Sequence, residues 1–249
     1  MTRLRRAFTL LSLAALSFCA VFLFFQERPF LRACSSSGKE LRTALAIRDP
    51  ESPFAQWGSF LSTKGYLDKC YSDAKYFSQS KKDDCRDEFI SCLDAALTKY
   101  PAVDIYILAH TNRYVKWVNE IPQEHRKRLR FVYNTGCRNL KQGPDWLQAG
   151  AKAYIGHPGN STSEVFYFYF LRRWARNQTL SDAMNMGNAR MESAMRVWDF
   201  LTVFYRHKLV AIPSEVWKFF REPNNVAAAM AQSRAACLGD CGITMGEQP

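Results

Sequence analysis

Two short runs limit what this chain can fold into. Residues 103–109 read Val-Asp-Ile-Tyr-Ile-Leu-Ala and residues 129–133 read Leu-Arg-Phe-Val-Tyr, both rich in β-branched and aromatic side chains. Neither alternates cleanly between apolar and polar, so each reads as a strand covered on two faces. Strands of that kind belong to a parallel sheet with helices above and below, built from strand–helix–strand units with right-handed crossovers. Two further runs fit the same sheet. Residues 41–47 form one and end at the turn Arg48-Asp49-Pro50; residues 151–156 form the other and are closed by His157, Pro158, Gly159 and Asn160.

Helical patterns separate the strands. Residues 53–64 place Phe54, Trp57, Phe60 and Leu61 on one face, and Gly65 stops them as a C-cap would. Asp83 or Asp84 opens a helix carrying Phe89, Cys92, Leu93, Ala96 and Leu97, which ends at Tyr100-Pro101. A helical stretch over 114–128 is broken near Pro122, a short one spans 145–149, an aromatic one runs from Ser161 or Thr162 to about Arg176, and another covers 180–191. Residues 66–80 show no clear period. The expected fold class is therefore α/β, a mostly parallel sheet with helices on both faces over 38–190. A helical C-terminal extension follows over 191–249, with helices at 197–205, 213–221 and 225–237.

In open α/β sheets ligands gather at the carboxyl ends of the strands. The two buried runs end there in chemistry: the first leads into His110, the second through Asn134, Thr135 and Gly136 into Cys137. Neighbouring strands lie ~4.8 Å apart, so both side chains reach one shared cleft. A thiol beside an imidazole is a nucleophile with an acid–base partner, the pair that acyl transfer requires. Gly136 permits a tight turn, and the Cys137 N–H is a candidate oxyanion donor. His157 ends the third strand and is a candidate lining residue, while Asn134 and Thr135 shape the turn. Asp145 and Glu164 are acids that would favour a basic substrate side chain.

The order strand–His110, strand–Cys137 resembles the caspase–legumain–gingipain superfamily of cysteine peptidases, in which one apolar strand ends in the catalytic histidine and the next in the catalytic cysteine. The run 150–156, the aromatic helix and Thr179-Leu-Ser-Asp-Ala183 resemble the bacterial branch, and the likeness spans roughly residues 40–190. The resemblance implies a caspase-like fold, amide hydrolysis by His110 and Cys137, and an oxyanion contact from the N–H after the histidine. Here that residue is Thr111, where the family normally has glycine.

The ends of the chain suggest where it works. Arg3, Arg5 and Arg6 precede residues 7–25, about 19 positions without a charge, near the minimum for a spanning helix. Residues 1–32 read as a signal anchor, or else a cleaved signal peptide, with the remainder outside the cytoplasm. The formal charge is +11, and the five arginines and one glutamate of residues 1–32 leave +7 on the rest. Basic runs at 125–130 and 172–176 read first as solvated helix faces, and second as surfaces for anionic partners. No nucleic-acid module is recognisable. Eight cysteines fit an oxidising compartment. With Cys19 in the anchor and Cys137 set aside as reactive, six remain for bridges. Cys85 and Cys92 lie ~10 Å apart on a helix, too far to pair together. They are expected to reach Cys70 and Cys34, while Cys237 and Cys241 close a small loop. No spacing supports a metal site, and no cofactor is expected.

The sequence thus predicts a membrane-tethered, extracytoplasmic cysteine peptidase-like protein acting on a peptide or protein. The alternatives are a non-catalytic pseudo-peptidase that binds peptides or proteins, and an envelope structural protein with Cys137 in a disulfide.

Overall fold

The computed structural model describes residues 38–49, 67–79, 84–161, 163–206, 232 and 234–247. The expected signal anchor and the helix over 53–64 lie outside these residues. No helix among the described residues is long and apolar enough to cross a membrane.

The sheet has six strands: β1 (Arg42–Arg48), β2 (Asp73–Ser78), β3 (Ala102–Leu108), β4 (Leu129–Asn134), β5 (Ala153–Gly156) and β6 (Ala236–Gly239). Their spatial order is β2-β1-β3-β4-β5-β6; the first five run parallel and β6 pairs antiparallel with β5. The helices are α1 (Arg86–Lys99), α2 (Arg113–Val118), α3 (Gln123–Arg126), α4 (Gly143–Gln148), α5 (Ser163–Trp174) and α6 (Leu180–Arg206). Every residue of β3 and β4 is buried, which explains why their sequences do not alternate.

Each face of the sheet carries its own core. Val103, Ile105, Ile107 and Val132 pack with Phe89, Leu93 and Leu97 of α1, Val115 and Val118 of α2, and Trp146 of α4. Tyr106, Phe131, Tyr133 and Ile155 pack on the other side with Phe166, Phe170 and Trp174 of α5 and Leu180 and Ala183 of α6. The side-chain period of β4 slips once. Val103 pairs with Leu129 but Asp104 pairs with Phe131, so Arg130 is an extra residue in the ladder. That bulge explains why Leu129 and Val132, three apart, share a face.

The bulge also aims Arg130 at Asp104, with Nε donating to Oδ1 at 2.9 Å and Nη2 to Oδ2 at 2.6 Å. The Tyr71 hydroxyl donates to the same carboxylate at 2.5 Å and lies 2.7 Å from the Tyr106 hydroxyl. Arg42 and Arg130 both donate to the carbonyl of Met245, at 2.8 and 2.9 Å. A buried ion pair needs this degree of compensation, because neither charge keeps its water. Burial, then the neighbouring Asp104, pushes the Tyr71 phenol well above its usual value, and burial does the same to Tyr106 and Tyr167.

Three expectations are corrected. First, where the sequence predicts a helix running to residue 237, Ala236 and Cys237 belong to strand β6; residues 225–231 lie outside the described residues. The open edge of β5 offers unpaired backbone groups, and pairing there outweighs local preference. Residues 236–239 are therefore part of the sheet rather than a helical tail. Second, Cys85 and Cys92 are reduced thiols and do not bridge to Cys70 or Cys34. Cys85 lies in the core on one side of the sheet and the disulfide-bonded Cys70 in the core on the other. The Cys85 thiol instead donates to Gln79 Oε1 at 3.1 Å. The Cys237–Cys241 bridge does form. Third, the basic run at 172–173 is internal, whereas the run at 125–130 keeps a solvated part, with Lys127 and Arg128 exposed. Arg126 donates to the carbonyls of Ile121 and Ala149, Arg128 to those of Leu97 and Thr98, and Arg172 and Arg173 are buried.

Candidate active site

The carboxyl edge of the sheet is built from the turns that follow β1, β3, β4 and β5. Ile107 pairs with Asn134 in the ladder, and His110 and Cys137 each lie three residues further on. The two strand ends leave the sheet in contact. A Cβ placed on Gly136 would sit 1.8 Å from the Ala109 carbonyl oxygen and 3.2 Å from the His110 nitrogen, so only glycine fits there. Thr135 ties the same two turns, its N–H and hydroxyl both donating to the Ile107 carbonyl at 2.7 and 3.0 Å.

Asparagines hold the turn that carries the thiol. Asn134 Oδ1 accepts the Gly136 N–H at 3.0 Å, and its amide donates to Gln142 Oε1 at 3.2 Å. Asn139 is fully buried; it donates to the Asn134 carbonyl and accepts the His157 N–H at 2.7 Å, joining the turn after β4 to the turn after β5. Arg138 completes the turn in a left-handed conformation, φ 55°, and its N–H donates to the Gly159 carbonyl. Cys137 is therefore held from both sides while its own side chain stays partly exposed. Its thiol is reduced in this structure. The sulfur accepts the backbone N–H of Ser161 at 3.3 Å.

The histidine side is more open. His110 and Thr111 are exposed, and Thr111 Oγ1 accepts from Arg113 Nε at 3.0 Å. Asn112 donates to Asp145 Oδ2 at 2.8 Å, linking this loop to α4. Behind it sits Asp49, the residue after β1. Its carboxylate accepts the Tyr114 hydroxyl at 2.5 Å and lies 3.5 Å from Arg113 Nη2, while its backbone N–H donates to the Leu108 carbonyl at 2.9 Å. Burial and then Asp49 push the Tyr114 phenol above its usual value, so that hydroxyl remains a donor to Asp49.

The proposed site residues thus divide. His110, Thr111, Gly136 and Cys137 share one edge, and Asn134 supports the turn from within the sheet. His157 does not reach the surface: it is 0% exposed, its Nε2 lies 3.2 Å from the Tyr133 hydroxyl, and its ring packs on Phe166. Its place is in the core behind the cysteine. Asp145 is exposed and already paired, and the Glu164 side chain lies outside the described residues. Sequence reading missed Asp49, Asn139 and Ser161. Asp49 had a signal, an acid ending a strand at the same edge. Asn139 and Ser161 had none, because their roles depend on contacts between separate turns.

Among the described residues, no group of three or more His, Cys, Asp or Glu is placed to hold a metal ion. No family model matches the chain, and no curated protein matches it.

Proposed function

We propose that this protein is a thiol-dependent peptidase of caspase-like type, with Cys137 as nucleophile and His110 as its acid–base partner. The observation that carries the reading is the equal count from the ladder: His110 and Cys137 stand three residues beyond the pair Ile107 and Asn134, on turns that touch at Gly136 and Ala109. Cys137 Sγ attacks a peptide carbonyl carbon while its proton passes to His110. The tetrahedral oxyanion collapses, the C–N bond breaks, and His110 returns the proton to the leaving amine. Water then attacks the thioester, releasing the carboxylic acid and restoring the thiol. The N–H groups of Thr111 and Cys137 are the candidate oxyanion donors.

The setting we propose is extracytoplasmic, with residues 1–32 as membrane tether and a peptide or protein as substrate. The Cys237–Cys241 disulfide and a second bridge at Cys70 support an oxidising compartment. The test treats the full-length protein with a peptidyl electrophile and with a peptide library. One adduct at Cys137 is expected, none in Cys137→Ala, and a loss of hydrolysis of about 10²–10⁴ in His110→Ala. Peptide binding with no turnover and no adduct would replace the peptidase by a binding module.

A further inference from the structure

Deepening the reading of Cys137 as the reacting group, we propose that Ser161 is the second half of the thiol site: its backbone N–H sustains the Cys137 thiolate, and its hydroxyl is reserved for the group the sulfur attacks. Two independent observations carry this. The Ser161 N–H donates to Cys137 Sγ at 3.3 Å. The Ser161 hydroxyl is shielded from water and has no hydrogen-bond partner. A buried hydroxyl left unsatisfied costs about 1–3 kcal/mol, so one kept beside a reactive sulfur calls for a ligand.

The direction of the effect follows from the fold. Ser161 lies two residues before α5, a helix of 12 residues, so the amide that meets the sulfur belongs to the positive end of that helix. An N–H donor favours the charged form of a thiol, and helix amino ends lower thiol pKa values. Among the described residues, the titratable or charged side chains that these turns carry are His110 after β3, Arg138 beside the cysteine, and the buried His157 after β5. An imidazolium at His110 and the Arg138 guanidinium act in the same direction as the amide, so the test must separate them from it. The arrangement makes Cys137 nucleophilic before any substrate arrives, so that His110 acts as an imidazolium that protonates the leaving amine.

The experiment measures the pH dependence of iodoacetamide alkylation at Cys137 in the full-length chain. The expected midpoint is at or below about 7.5, against about 8.5 for an ordinary thiol. It should stay below 8.5 in His110→Ala and in Arg138→Ala. Ser161→Pro, which deletes the N–H, should slow alkylation at pH 6 about tenfold. Ser161→Ala keeps the N–H, so its alkylation midpoint should match wild type while its peptidyl-electrophile labelling slows. An ordinary midpoint in wild type, or an unchanged one in folded Ser161→Pro, overturns the thiolate role. Unchanged peptidyl labelling in Ser161→Ala overturns the hydroxyl role. Should Ser161→Pro not fold, the wild-type Ser161 amide proton decides by NMR: it must titrate with the alkylation midpoint, and a flat response overturns the proposal. These readouts need no turnover, so absence of peptide hydrolysis would sink the peptidase reading while leaving this one measurable.

Discussion

The two edges of the sheet treat buried polarity in opposite ways. At the amino edge, Asp104, Arg130, Arg42, Tyr71 and Tyr106 form a closed network, with the Met245 carbonyl bonded twice. At the carboxyl edge, Asn112 Oδ1 and Ser161 Oγ are buried without partners, close in sequence to His110 and beside Cys137 respectively. At the first edge, the described groups of that network bond to one another or to backbone carbonyls. The second edge holds a hydroxyl and an amide oxygen in reserve, beside a turn tied through the N–H groups of Thr135, Gly136 and Arg138. The polar network and the proposed reactive pair thus lie at opposite ends of the same strands.

That contrast can be broken most severely at the amino edge. Asp104→Ala leaves Arg130 buried without its anion, and urea denaturation should show a loss of about 3–5 kcal/mol. Next comes Gly136→Ala, whose new Cβ meets the Ala109 carbonyl; overpacking should cost about 1–3 kcal/mol and separate the two turns, read as a stability loss together with slower labelling of Cys137. The tyrosines give a pH effect of comparable size. Tyr71, Tyr106 and Tyr167 have folded pKa values raised above the ordinary value near 10, so the unfolded chain ionises first. Their contribution is fully present below pH ~10 and is lost as pH rises beyond it, by up to about 1.4 kcal/mol per pH unit for each phenol. Melting temperatures between pH 9 and 11 should fall, less steeply in Tyr71→Phe. The smallest effect belongs to the other edge: Cys137→Ala should change stability by no more than about 0.5 kcal/mol while abolishing labelling. A large loss there would mean that the cysteine is a structural residue and that the contrast fails.

The parts of this design visible in the sequence are those with local causes. β3 and β4 are legible because every position is buried, and the helix breaks at Tyr100-Pro101 and Pro122 follow from backbone chemistry. His110 and Cys137 could be singled out because each directly continues such a strand. β2 was not legible: Asp-Ala-Lys-Tyr-Phe-Ser lies at the sheet edge, half exposed, and only pairing with β1 makes it a strand. The same holds for β6, and for the cysteines, whose pairing depends on which side of the sheet each occupies. Ser161 and Asn139 act across turns separated by many residues, so no spacing rule points to them.

The extra residue in β4 has a consequence beyond the ion pair that it aims. Below the bulge, partners in β3 and β4 differ by 26 in number, Val103 with Leu129; above it they differ by 27, Ile107 with Asn134. Arg130 therefore acts as a vernier between the two strands. Were it drawn back into the ladder, the lower spacing would persist, and Gly136 rather than Cys137 would come level with His110. The alignment of Cys137 with His110, the pair we propose as nucleophile and proton partner, is thus calibrated at the far end of the strand, by the same arginine that locks the amino edge.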